Sequence, residues 1–104
     1  MAMNRTTLAG MAAIVVLGVV GPAHAAGDVQ AGKVKAAACA ACHGANGQGV
    51  APNPPLVGKS EAQLIQALKD FKSGKRDNAV MKGMASPLSD QDIENIAAYY
   101  ASLK

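Results

Sequence analysis

The run Cys39-Ala40-Ala41-Cys42-His43 concentrates more chemistry than any other stretch of the chain. Two thiols three positions apart, followed at once by an imidazole, form the pattern to which haem is joined: the sulfurs add to its two vinyl groups, and the histidine coordinates the iron. One helical turn brings both sulfurs to one edge of the macrocycle while the next residue reaches under its centre. Three other uses of these residues fall short. Structural zinc takes four ligands, and past His43 the chain holds neither Cys nor His. A thioredoxin-like redox pair expects a βαβ setting, and no segment alternates with the period of a strand. A disulfide across two residues is strained and closes almost no loop.

The elements that must position this run read as three main helices and irregular loops, an all-α pattern. Asp28 is the N-cap of the first, which runs to about the cysteines and sets Val29, Gly32, Ala36 and Ala40 on one face. Glycine inside a helix costs about 1 kcal/mol relative to alanine, so Gly32 points to another helix packed closely against it. Residues 44–59 shift to glycine and proline without a period. This is a loop whose backbone can approach a flat ligand, and one of its carbonyls is expected to accept the Nδ1–H of His43. Ser60 and Gln63 open a second helix with a capping box, Leu64, Ile65, Leu68 and Phe71 make its apolar stripe, and Gly74 ends it. Ser89 and Asp92 open the last helix, whose face is Ile93, Ile96, Ala97, Tyr100 and Leu103, with Tyr99 flanking it. The small-residue face around Gly32 is its natural partner.

The first 25 residues read as a secretory leader. Arg5 supplies the positive start, residues 8–20 are apolar, and Gly21-Pro22 breaks the run before the small-x-small site Ala23-His24-Ala25. A spanning helix needs about 20 apolar residues, more than this run offers. Cleavage after Ala25 leaves one small domain over residues 26–104, which needs a staple that covalent haem can supply. His24, Met1, Met3 and Met11 leave with the leader, so His43 is the remaining histidine and Met81 and Met84 the remaining methionines. A bis-histidine haem is thereby excluded, and a methionine thioether is the natural second axial ligand. Of ten Lys and Arg, Arg5 also goes, against seven Asp and Glu. Two haem carboxylates bring that balance close to neutral, and nothing resembles a nucleic-acid-binding face. Lys69, Lys72, Lys75, Arg76 and Lys82 form a basic segment that reads equally as a docking surface and as an ordinary solvated face.

Taken together, these residues resemble the bacterial class I c-type cytochromes of the short monohaem type, and are similar to one domain of the periplasmic dihaem members. The resemblance runs from Gly27-Asp28 through Cys39 to Gly44, Pro54-Pro55-Leu56-Val57-Gly58 and Pro87-Leu88-Ser89-Asp90 to Ala97-Ala98-Tyr99. It implies that Pro54 lends its carbonyl to His43, that Gly32 crosses the last helix near Tyr99 and Ile96, and that Met81, with Met84 as the alternative, is the second iron ligand. It further implies one haem c carried through Cys39 and Cys42, and a periplasmic, monomeric electron carrier rather than an enzyme. Its partners would be periplasmic or membrane-bound redox proteins, such as oxidases, reductases and dehydrogenases. A haem enzyme or gas sensor with an open sixth position is the competing class, and a permanently docked electron-entry subunit is a third.

Overall fold

A computed structural model describes residues 27–103. The proposed leader, residues 1–25, lies outside them. Side-chain caps set the start of every described helix but the second, whose N-terminal flanking residue, Ala36, has none. Asp28 Oδ1 accepts from the backbone N–H of Gln30 at 2.9 Å and of Ala31 at 3.2 Å, opening α1, Val29–Lys35. α2, Ala37–His43, follows after a single residue. The loop then leads to α3, Glu61–Ser73, where Ser60 and Gln63 form the reciprocal capping box and Gly74, at φ 82°, closes the helix in the left-handed conformation. Asn78 Oδ1 accepts the Met81 N–H at 3.0 Å and starts α4, Ala79–Ala85. Ser89 and Asp92 make a second capping box at the head of α5, Asp90–Ser102.

Among the described residues five helices thus stand where three main ones were expected, and there is no strand beyond one isolated bridge between Val50 and Asn53. The first helix divides at Ala36, whose ψ of −6° departs from helical geometry. Alanine is the best helix former, so no local signal marks the break. The buried Ala36 sits where α1 is tied to α5 and α2 leaves for another direction. The segment carrying Met81 and Met84 is a short helix. At seven residues it lies far below the length at which a helix is stable alone, and Gly83 weakens it further. The Asn78 cap and packing on α3 hold it.

α5 is the hub. α1 crosses it at closest range and α3 packs along it, and Ala36, Leu64, Ile96, Ala97 and Tyr100 form the shared core. A Cβ on Gly32 would lie 1.9 Å from the Asn95 carbonyl oxygen and 2.9 Å from Tyr99 Cβ. The close crossing read from Gly32 is therefore real, with the backbone of Asn95 as its nearest neighbour beside Tyr99. Asn95 also does work no sequence pattern announced: its buried Oδ1 accepts the Asp28 N–H and the Gln91 Nε2–H, each at 2.8 Å, joining the start of α1 to α5. By contrast, the backbone of α2 comes close only to α1 and that of α4 only to α3 among the described helices. Cys39 nevertheless packs its side chain against the shared core, so α2 touches the hub through the haem-attachment residues.

Candidate haem-binding site

His43 closes α2 and is 6% exposed. Its Nδ1 lies 2.7 Å from the Pro54 carbonyl oxygen. A carbonyl can only accept, so Nδ1 carries a proton, and Nε2 is the ring nitrogen left for a metal. The loop is drawn in by the carbonyls at the end of α2: the Gly49 N–H donates to His43 O at 2.7 Å, and Asn53 Nδ2 donates to Cys42 O at 3.0 Å. Farther along, the Leu56 N–H donates to Gly47 O at 2.7 Å. Gly47 has φ 68°, and a Cβ there would stand 2.7 Å from the Tyr100 ring, so only glycine lets the loop lie against α5.

His43, Cys39 and Cys42 line a cleft of about 590 Å³. Leu64, Ala67, Leu68 and Phe71 line it from α3, Ile96 and Tyr100 from α5, Pro54 and Leu56 from the loop, and Met81 and Met84 from α4. Every residue expected to hold the cofactor therefore borders one cavity. Met81 is the more covered of the two methionines, Met84 being 41% exposed. Cys39 is half-buried and Cys42 exposed, both as free thiols. Burial pushes the Cys39 thiol above its ordinary pKa; a backbone hydrogen bond opposes this and the neighbouring Cys42 adds to it.

Sequence reasoning missed three features of this cavity. Lys59 and Arg76 line it from the two ends of α3, and Asn78 lines it from the cap of α4. Their positions depend on how the loops return, which no periodicity encodes. Tyr100, recognised as a core residue, is 1% exposed with a hydroxyl that has no hydrogen-bond partner. Burial, with smaller contributions from Cys39 and Tyr99, pushes its pKa up to about 12.

These residues fit haem. The volume falls within the roughly 300–1,000 Å³ of cofactor sites. The lining is mostly apolar, as a macrocycle requires, with thiols one helical turn apart, an imidazole with its outer nitrogen tied down, thioethers on another helix, and cations for the carboxylates.

An all-α shell with such a cleft defines a protein of the c-type haem class. The Cytochrome c family model matches residues 29–104, and the chain belongs to that family. Its members carry covalently bound haem, and Cys39, Cys42 and His43 fit the attachment motif. The chain is similar to cytochrome c4 of Pseudomonas aeruginosa, at 52% identity over 92 residues, covering 88% of this chain and 46% of that protein. It is similar to cytochrome c-554(548) of Halomonas halodenitrificans, at 48% identity over 81 residues, covering 74% of this chain and 98% of that protein. The crystal structure of reduced cytochrome c4 from Pseudomonas stutzeri superposes with a TM-score of 0.71 at 46% identity, over 76% of this chain and 47% of that one. The chain spans about half the length of the cytochrome c4 proteins it matches.

Proposed function

We propose that this protein is a periplasmic carrier of single electrons, with one haem attached through Cys39 and Cys42 and with His43 and Met81 as axial ligands. The observation that carries the reading is His43, buried at the cleft wall with Nδ1 donating to the Pro54 carbonyl, so that Nε2 is the ring nitrogen left to take a metal. When bound, haem supplies a one-electron couple whose potential a thioether ligand raises. The Pro54 carbonyl fixes the orientation of the imidazole and makes it a stronger donor. Met81 offers its sulfur from α4, and the apolar side chains of α3 and α5 keep water out, which favours the less charged state of the couple. With side chains at both axial positions no site is left for a substrate, so the protein is a carrier and not an enzyme.

Residues 1–25 act as the export signal and residues 26–104 as the haem domain. Among the described residues no helix is long and apolar enough to cross a membrane. The partners are periplasmic or membrane-bound redox proteins met through small, transient contacts, with the protein itself a monomer. The absorption spectrum of the reduced holoprotein, with and without carbon monoxide, tests the reading. A low-spin c-type spectrum unmoved by carbon monoxide is expected, with carbon monoxide binding appearing in Met81→Ala and not in Met84→Ala. Rapid binding by the unaltered protein would replace the carrier with a haem enzyme or sensor.

A further inference from the structure

Within the basic segment, Lys69, Lys75, Arg76 and Lys82 are exposed and Lys72 alone is half-buried. Its Nζ donates to the backbone carbonyl of Leu88, 16 residues on. The one ion pair among the described residues joins Lys35 to Asp92, so this ammonium is spent on a carbonyl and not on a carboxylate. Leu88 stands at a junction. Its side chain packs on the shared core, its N–H donates to the Ala85 carbonyl at 3.0 Å, and the residue after it, Ser89, is the N-cap of α5. Lys72 lies in the last turn of α3, where the helix dipole favours a cation. One ammonium therefore holds the end of α3 against the connection from α4 to α5.

What hangs on that connection is α4. Among the described helices its backbone comes close only to α3. Ala79, Val80, Lys82, Gly83 and Met84 are exposed, whereas Ala85 is fully buried and Met81 half-buried. Met81 precedes Ala85 by one helical turn, so the two share the inward face, and the seat of Ala85 sets where Met81 borders the cleft. At its other end α4 is held by the Asn78 cap, which is exposed.

We propose that Lys72 is the latch that keeps Met81 on the iron: by binding the Leu88 carbonyl it holds the α4–α5 connection on α3, and so limits how often the Met81 thioether lets go. The inference rests on the reading of Met81 as an axial ligand. Lys72 does not line the cleft and acts only through the connection, as a positioning residue. A charge-assisted hydrogen bond at a half-buried carbonyl is among the stronger ones, and without the donor that carbonyl must find water by opening the connection.

The test uses the ferric holoprotein and its Lys72→Met, Lys72→Arg, Lys69→Met and Ser60→Ala variants. Lys72→Met keeps the apolar stem and loses the donor, and Lys72→Arg keeps a donor. Lys69→Met removes an exposed charge from the same helix, and Ser60→Ala weakens the far end of α3. Imidazole added in excess takes the sixth position only after the thioether has left, so its uptake rate reads the opening. Amide exchange at Ser86 and Leu88, which donate to the Lys82 and Ala85 carbonyls, reads the same opening without reference to the iron. The expected result is that both rates rise about tenfold in Lys72→Met and return most of the way in Lys72→Arg. Lys69→Met and Ser60→Ala leave both near the parent, because a local opening does not require the whole domain to unfold. The proposal is overturned if Lys72→Met matches the parent in both rates, or if Ser60→Ala speeds them as much, since Lys72 would then act only through the stability of the domain. Imidazole uptake by the parent at the rate of simple encounter would show a sixth position without a ligand; that overturns the axial reading of Met81, and the inference with it.

Discussion

Replacing Gly32 with alanine sets two opposed effects against each other, and the structure says which wins. Alanine is the better helix former by about 1 kcal/mol, so an exposed site would gain. At Gly32 the new Cβ would lie 1.9 Å from Asn95 O, 2.5 Å from Asn95 C and 2.9 Å from Tyr99 Cβ. The first two are backbone atoms of the hub helix, with no rotamer to turn. Ordinary contact requires α1 to lift from α5 by well over an ångström, which stretches the Asp28 N–H to Asn95 bond and opens the core at Ala36. Overpacking costs about 1–3 kcal/mol where neighbours can adjust; with backbone as the obstacle the upper end applies, about 3 kcal/mol. Set against the propensity gain, the net loss is at least about 2 kcal/mol, or about 8–16 °C in Tm for a domain of this size. The internal comparison is Gly83→Ala in α4, where a Cβ meets nothing within 4 Å. That variant should gain about 0.4–1 kcal/mol. Urea unfolding followed by far-ultraviolet circular dichroism reads both. A Gly32→Ala protein as stable as its parent would refute the claim that the α1–α5 crossing is set by backbone contact.

Asn95→Ala leaves the Asp28 N–H without its acceptor at the start of α1, and should cost about 1–3 kcal/mol in the same unfolding assay. Ser60→Ala removes the acceptor for the Gln63 N–H at the head of α3; a loss of about 1 kcal/mol is expected, measured as a lower urea midpoint with unchanged slope. Tyr100, its pKa raised from 10.0 to about 12, stays protonated in the folded chain at pH values where the unfolded chain loses that proton. Its contribution is fully present below about pH 10 and disappears as the pH rises towards 12, a loss of about 2–3 kcal/mol. Tyr100→Phe should therefore show a shallower alkaline decline in stability than the parent, and parallel curves would contradict the assignment.

Much of the site was legible because its chemistry is local. A haem-attachment motif needs two thiols and an imidazole within one turn of chain, and Cys39, Cys42 and His43 meet that requirement before any folding is considered. The capping boxes at Ser60 and Ser89 are local as well, each satisfied within four residues, so they form as read. Gly32 announced a close helix crossing, since an interior helical glycine is costly unless something needs the space.

What the sequence determined by itself was thus the class: an all-α chain with a haem motif, two methionines downstream of it, and long helices opened by their own capping boxes. Tertiary structure decided which groups surround the cavity. Pro54 reaches His43 because Gly49 and Asn53 bind the end of α2. α4 exists because Asn78 and α3 support a helix too short to stand alone. Arg76 borders the cleft because the turn after Gly74 folds back over Phe71, although along the chain it is one cation among several. Helix periodicity and capping depend on neighbours within a turn, whereas these contacts join residues whose distance in space is set only when α1 and α3 close on α5.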